Sequence, residues 1–366
     1  MPDLARTIAV AGASSWIGQR VCRELAADGW RVTAVCRPKN AFLLERLGVE
    51  VAELTTLIGR HFDAVVNLAY PSEPEGGDAI AANRRIFRQI CHLAGAGARV
   101  LHIGTVAVFG MALDHPVTAG LLRPRHDHEY VTSKIQMERW LDAEFGNGSL
   151  DIVRLGNVWG PGSANWVVGL TEALLAGLPV RVTGRDGFSN VTDVANVTSY
   201  IRHVLRSPAP TGTRFHHLAE LGHHRWGRFV SFLAAALEQE VNEVAILPPG
   251  HASLFAEFRS ILVRTGIEQT RTDLRAGRYT GSIYRSLRHH SPARLVRWFK
   301  QVKPQGPPEM SCQPTLTQDQ VGLLRLLANE SQFAPVILEG WSAPVSLDES
   351  LSRVHAWLGK VGYIPR

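Results

Sequence analysis

Cysteine is scarce in this chain: Cys22, Cys36, Cys91 and Cys312 are the only four among 366 residues, and no two of them form a Cys-x-x-Cys pair. That excludes a disulfide-stapled scaffold and a cysteine zinc site, and it fits a reducing compartment. Long hydrophobic runs are missing too. The longest, such as residues 64–69, fall far short of the ~20 residues that a membrane-spanning helix needs. No basic stretch leads into an extended apolar one near Met1, so no secretory leader is read and a cytoplasmic location is expected. A uniformly basic surface is also absent. The net charge is +6, yet the ten Arg and Lys residues between Arg264 and Lys303 are opposed only by Glu268 and Asp273. The remainder is mildly acidic, which argues against a general nucleic-acid-binding surface.

What is present is an alternation. Short apolar runs at 7–11, 31–36, 64–69, 99–103 and 151–155 read as strands. Amphipathic stretches at 16–28, 80–93 and 129–144 read as helices between them. Strand and helix at this spacing predict βαβ units and a parallel sheet wound on both faces. After Trp159 the glycine-rich turn Gly160-Pro161-Gly162 breaks the pattern, and a helix is expected at 167–176. Residues 1–160, joined by a returning segment at 189–220, are expected to form the sheet domain. Residues 161–188 and 221–366 are expected to form a smaller α/β lobe that binds substrate. A capping box, Ser346-x-x-Glu349, announces the last helix.

The turn after the first strand reads Gly12-Ala13-Ser14-Ser15-Trp16-Ile17-Gly18. Gly12 allows a tight turn, Gly18 allows the helix to approach the strand, and the N–H groups opening the helix suit a pyrophosphate. Ser15 stands where a middle glycine is expected. Its Cβ would crowd a dinucleotide, or its hydroxyl would donate to phosphate. The second strand ends in Cys36 and Arg37 rather than a carboxylate. A guanidinium there suits a ribose 2′-phosphate, so NADP(H) is the expected cofactor, with NAD the alternative.

Tyr130 and Lys134 are four residues apart and share one helix face. An ammonium beside a phenol is expected to lower the tyrosine pKa and make it a usable acid and base. Thr105 follows the strand 99–103, at the carboxyl end where open α/β sheets bind ligands. Its hydroxyl is placed to hold a substrate oxygen near Tyr130.

With these motifs in order, the first 200 residues resemble the extended short-chain dehydrogenases/reductases, the NAD-dependent epimerase/dehydratase family. The matching stretches are the Rossmann-type glycine turn, residues 63–70, Asn83, residues 105–110, Tyr130 to Lys134 with Glu138, residues 154–162 and residues 191–194. The resemblance implies that Leu68, Ala69, Tyr70 and Asn83 serve the cofactor site. It implies that Asn157 and Val158 lie near nicotinamide and substrate, and that Asp193 fixes the returning segment. It also implies a nucleotide-sugar substrate and a homodimer formed through the helices bearing Asn83 and Tyr130. Departures are Ser15, Gly104 for a small hydroxyl residue, Phe109 for tyrosine and Leu155 for proline.

In the 4,6-dehydratases of this family an Asp-Glu pair follows the catalytic threonine. Val106 and Ala107 cannot replace it, which disfavours dehydration by that route. The expected activity is reduction of a keto group, or the reverse oxidation. Epimerisation is the alternative within the family, and a non-catalytic NADP-binding regulator the alternative outside it. Trp166, beside the glycine turn, is a candidate to stack on a sugar or base, with core packing the competing reading. The histidines at 126, 128, 216–217, 223–224 and 289–290 lack metal-ligand spacing, so no metal is expected. The segment 291–303 reads as a basic amphipathic helix, packed on the lobe or lying on an anionic membrane surface.

Overall fold

The first strand, β1 (Thr7–Ala11), is apolar at four of its five positions and buried over Ile8 to Ala11. Such a run belongs inside a parallel sheet covered on both faces. A computed structural model describes residues 6–71, 79–109, 129–220, 222, 224–245 and 318–365. The basic segment 264–303, the candidate helix 291–303, Cys312 and the histidines at 126, 128, 223, 289 and 290 lie outside the described residues.

After β1 come α1 (Trp16–Ala27), β2 (Arg31–Val35), β3 (Glu50–Ala52), β4 (Phe62–Asn67), α2 (Ala79–Leu93), β5 (Ala94–Thr105), α3 (Glu129–Phe145) and β6 (Ser149–Leu155). Further on are β7 (Asn157–Trp159), α4 (Gly169–Leu175), β8 (Arg181–Val182), β9 (Val191–Asp193), α5 (Val194–Arg206) and β10 (Gly212–Leu218). Then follow α6 (Trp226–Leu237), β11 (Glu243–Val244), α7 (Gln318–Leu327) and α8 (Leu347–Val361). Seven strands form one parallel sheet in the order β10-β6-β5-β4-β1-β2-β3. This is the Rossmann-type arrangement. One apolar cluster joins the sheet to Val21, Cys22 and Leu25 of α1 and to Val197, Ile201 and Val204 of α5. A second joins it to Ile90 and Leu93 of α2 and to Met137 and Leu141 of α3.

β5 is longer than the apolar run at 99–103 suggests. It pairs with β4 at Phe62↔Ala94, loses register, and resumes at Ala64↔Arg99. Ala94 joins the ladder, and residues 95–98 form the irregularity before pairing resumes. A further core gathers Trp159, Leu170, Leu174, Trp226, Phe229, Leu233, Leu351, Val354 and Leu358. Two short parallel pairs, β7–β9 and β8–β11, accompany it. Asp193 caps α5 by accepting from Ala195 N at 2.7 Å, and its other oxygen accepts from the Ser350 hydroxyl of α8. Ser346 caps α8 by accepting from Glu349 N at 3.3 Å.

A buried polar chain ties the segment after α7 to the sheet. Leu338 N donates to the Tyr200 hydroxyl at 2.9 Å, that hydroxyl meets His216 Nδ1 at 2.7 Å, and His216 Nε2 meets Asp151 at 2.9 Å. Asp151 also accepts from Arg99 at 2.9 Å and Arg214 at 2.8 Å. Tyr200→Phe strips a buried N–H and an imidazole nitrogen of their partner, a loss of about 2 kcal/mol. Urea unfolding should show this as an earlier midpoint, and an unchanged midpoint would refute the chain's structural role.

Candidate active site

From β1 the chain crosses to β2, and from β4 it crosses the other way to β5, although β1 and β4 are neighbours. A crevice must open outside the carboxyl ends of these two strands. Two turns meet there. Gly12 has φ +79°, and a Cβ on it would lie 2.7 Å from Ala69 N and 2.8 Å from the Leu68 carbonyl carbon. A Cβ on Gly18 would collide with the Gly12 carbonyl oxygen. Glycine at 12 and 18 is therefore a steric requirement of the touching turns. Leu68 N donates to Ala11 O at 2.9 Å, and Ala69 N donates to Asn67 Oδ1 at 3.0 Å.

Ser15 has a role that its sequence reading did not include. Its hydroxyl oxygen accepts from Gly18 N at 3.0 Å and caps α1, with the side chain exposed. The residue in the middle-glycine place thus secures the helix start, while the first-turn N–H groups of Trp16 and Ile17 are left over by the helix ladder. Ser14 Oγ accepts from Asn40 Nδ2 at 3.4 Å, a contact the sequence reading missed. Arg37 is exposed and its guanidinium pairs with no described residue. Trp16 Nε1 donates to Pro161 O at 3.2 Å, tying α1 to the turn after β7. Asn157 Nδ2 donates to Ser189 O at 2.6 Å, and Val158 packs against the sheet core.

One strand over, at the end of β5, Tyr130, Lys134, Thr105 and Tyr70 come together. The Thr105 hydroxyl lies close enough to the Tyr130 phenol to favour its ionised form. The Tyr70 and Tyr130 rings meet edge to face with centroids 5.1 Å apart. Lys134 Nζ lies 5.3 Å from the Tyr70 ring centre and 5.9 Å from that of Tyr130, and donates to Ile103 O at 3.3 Å. Asn83 Nδ2 donates to Ser133 O at 3.2 Å, bracing α3 from α2. Trp166 joins a different group: its ring stacks on Trp226 with centroids 4.5 Å apart, so one indole face is taken by packing.

The electrostatics differ from the simple Tyr-Lys expectation. Burial pushes the Tyr130 phenol above its ordinary value; the Thr105 hydrogen bond works against this and Tyr70 adds to it. Burial likewise pulls Lys134 down to about 8, opposed by Glu138. Desolvation outweighs the mutual attraction of charged forms because both groups are nearly out of water. The expected lowering of the tyrosine is thus reversed here.

Sequence reasoning also missed what lies beneath. His102 is buried, and burial together with the Lys134 charge holds it well below the ordinary histidine range, so it is neutral. Asn67 uses its oxygen on Ala69, so its Nδ2 donates to His102 Nδ1 at 3.2 Å, leaving the proton on Nε2. That Nε2–H finds no acceptor among the described residues. The signal was slight: one asparagine closing an apolar strand and one histidine inside another. Among the described residues, no three His, Cys, Asp or Glu side chains are placed to hold a metal.

The model of the NAD dependent epimerase/dehydratase family matches residues 8–210. The chain belongs to that family. Among solved structures, it is similar to TunA, described as an NAD dependent NDP-hexosamine 5,6-dehydratase involved in tunicamycin biosynthesis. The identity is 22%, over 66% of this chain and 85% of that one, with a TM-score of 0.53. MoeE5, solved with UDP-glucose and NAD, is 22% identical over 65% of this chain and 85% of its own, with a TM-score of 0.51. The UDP-glucose 4-epimerase of Thermus thermophilus, solved with NAD, is 18% identical over 67% and 88%, with a TM-score of 0.51. These likenesses are likenesses of fold. No curated protein matches the sequence.

Gly12→Ala would place a methyl group against the Ala69 peptide at a left-handed backbone position. A loss of about 2 kcal/mol or more is expected. Thermal unfolding checks it, and an unshifted melting temperature would show that the two turns do not touch as described.

Proposed function

We propose that the protein is an NADP(H)-dependent oxidoreductase that reduces a keto group, or oxidises the corresponding alcohol, on a nucleotide-activated sugar or similar small molecule. The observation that carries this reading is the meeting of the Tyr130 phenol, the Thr105 hydroxyl and the Lys134 ammonium at the carboxyl end of β5.

The residues present fit a dinucleotide, because α1 opens at the carboxyl end of β1 with the first-turn N–H groups of Trp16 and Ile17 left over by the helix ladder. The turn 12–18, with Ser14 and the N–H groups of Trp16 and Ile17, would hold the pyrophosphate. Leu68, Ala69, Tyr70, Asn157 and Val158 would flank the chain toward the nicotinamide, and Lys134 would reach its ribose. A bound nicotinamide dinucleotide supplies or accepts the hydride. Tyr130 gives its proton to the substrate oxygen, and Thr105 orients that oxygen by a hydrogen bond. Lys134 favours the phenolate left behind. With the phenol protonated at neutral pH, the resting site can give the proton that the reductive direction requires.

Two observations support the substrate class. MoeE5 was solved with UDP-glucose. An open cavity of about 650 Å³ beside β8 and α6 is lined by Arg181, Arg185, Arg228, Asp186 and Ser231, with Arg181 paired to Glu243 and Arg228 to Asp348. Its guanidinium groups suit a diphosphate. Val106 is buried with Val108 and Phe109, and neither Val106 nor Ala107 can act as acid or base, which disfavours 4,6-dehydration by an Asp-Glu pair after Thr105. Epimerisation draws on the same proton-handling set, and the family description and the Thermus structure favour it as the second reading.

Turnover of NADPH with keto nucleotide sugars is the test. Tyr130→Phe should lower kcat by about 10²–10⁴ while leaving NADPH affinity in place. Undiminished turnover in that variant would remove the mechanism. Conversion of a nucleotide sugar to its epimer without net NADPH consumption would select the second reading, and NADPH binding without any consumption would point to the regulator. For the cofactor, NADPH should bind at least about tenfold tighter than NADH, worth about 1.4 kcal/mol, and Arg37→Ala should abolish the difference. Equal affinities in the unaltered protein, measured by fluorescence titration, would favour NAD, the dinucleotide found in the solved relatives.

A further inference from the structure

We propose that Glu138, clamped by Arg154, is a positioning residue for Lys134: its carboxylate, seated against Gly104, keeps the buried ammonium charged and directed at Tyr130. The proposal rests on the reading of Tyr130 and Lys134 as the proton-handling pair.

Tyr130, Lys134 and Glu138 follow one another at four-residue intervals along one face of α3. Across from them, Gly104 of β5 is in register with Arg154 of β6. The Arg154 side chain crosses over Gly104 to reach Glu138, with Nε 3.2 Å from both carboxylate oxygens and Nη2 2.8 Å from Oε2. Its guanidinium is fully buried, 4.9 Å from the Phe109 ring centre and 4.6 Å from that of Phe215. A Cβ at residue 104 would lie 2.6 Å from Glu138 Oε1 and 3.3 Å from Arg154 Cγ. The small hydroxyl residue that the family resemblance implies at 104 therefore has no room, and glycine leaves the slot for the ion pair. The neighbouring residue, Ile103, offers Lys134 its carbonyl at 3.3 Å. One dipeptide thus seats the ammonium on one residue and the carboxylate on the next.

The groups facing Lys134 can be named. On α3 they are Tyr130 and Glu138; after β4 it is Tyr70, whose ring lies beside Nζ; on β5 it is neutral His102; on β6 it is Arg154, on the carboxylate. Glu138 is the anion among them that favours the charged lysine, working against burial. Burial pushes the Glu138 carboxyl above its ordinary value, and the hydrogen bonds and charge of Arg154, with the charge of Lys134, work against that rise. Without Glu138, little except the Ile103 carbonyl and two ring faces offsets the loss of water.

The test reads the Lys134 amine directly, by NMR titration of the protein carrying lysine labelled with ¹³C at the ε position. In the unaltered protein the Lys134 midpoint should fall near 8. Glu138→Gln should move it down by about one pH unit or more, as loss of an adjacent opposite charge does. The alkaline limb of kcat/KM should move down with it, because activity that needs the ammonium is lost as pH rises through the lysine's pKa. Glu138→Gln leaves Arg154 buried without its partner, so the double variant Glu138→Met with Arg154→Met carries the test if the single variant does not fold. It too should lower the Lys134 midpoint. An unmoved midpoint in either folded variant overturns the proposal, whatever happens to turnover. A lowered midpoint in a protein with no turnover on any substrate upholds the coupling and counts against the enzyme reading instead.

Discussion

A buried ammonium is the constraint around which this site is built. Removing a charged lysine from water costs several kcal/mol unless hydrogen bonds and counter-charge replace the solvent. Lys134 receives one backbone carbonyl, two aromatic faces and the field of a carboxylate. Each provision makes a demand on the fold. The carbonyl is Ile103's, available because β5 runs to Thr105 beside α3. The aromatic faces bring Tyr70 and Tyr130 edge to face. The carboxylate must stay ionised in the interior, so a second charge, Arg154, is buried with it between two phenylalanine rings. That in turn requires residue 104 to lack a side chain.

The glycine turn and the proton-handling group are joined by more than sharing a sheet edge. β1, β4 and β5 are successive in the sheet, so the turns after them line one crevice. Asn67 connects the three through one amide. Its oxygen fixes the Leu68-Ala69 turn against Gly12, and its nitrogen reaches His102, whose ring senses the Lys134 charge. A displacement of the turn after β4 would therefore be felt at the strand beneath the ammonium. The Asn83 amide, donating to the Ser133 carbonyl, holds α3 from its other side.

What could be read beforehand depended on whether it was local. The tight turn at Gly12, the helix start at Ser346 and the Tyr-x-x-x-Lys spacing are properties of a few consecutive residues: Gly12 has a positive φ, Ser346 caps α8, and Tyr130 and Lys134 lie together on α3. The alternation of strand and helix gave the parallel sheet for the same reason. The Gly104–Glu138–Arg154 arrangement was beyond reach because it depends on strand register. Only the pairing of Gly104 with Arg154 explains why a position that resembles a hydroxyl site holds glycine. The Tyr200–His216–Asp151 chain depends likewise on α5 lying over β10 and β6. Two adjacent histidines in a strand gave no hint that one faces Tyr200 and the other faces Arg154 and Phe109. The Ser15 cap went unread because that position was weighed against a ligand and not against the helix it opens; its oxygen accepts from Gly18 N, and its hydroxyl proton is left over.

The reversal at Tyr130 bears on how such a pair works. If Lys134 acted by forming a phenolate in advance, the phenol would have to titrate below its ordinary value, and burial drives it the other way. A protonated phenol next to a lysine that titrates near 8 is instead a donor waiting for an acceptor. Once its proton has passed to a substrate oxygen, the phenolate is a buried anion. The Thr105 hydrogen bond and the ammonium are then the groups that make it tolerable. On the proposed reading, Lys134 contributes most after proton transfer has begun, when charge has developed on the phenol oxygen. That is stabilisation of the transition state over the ground state, the kind that raises kcat. Anything that lets the ammonium lose its proton removes it, and so the buried carboxylate at Glu138 matters to a reaction it never touches.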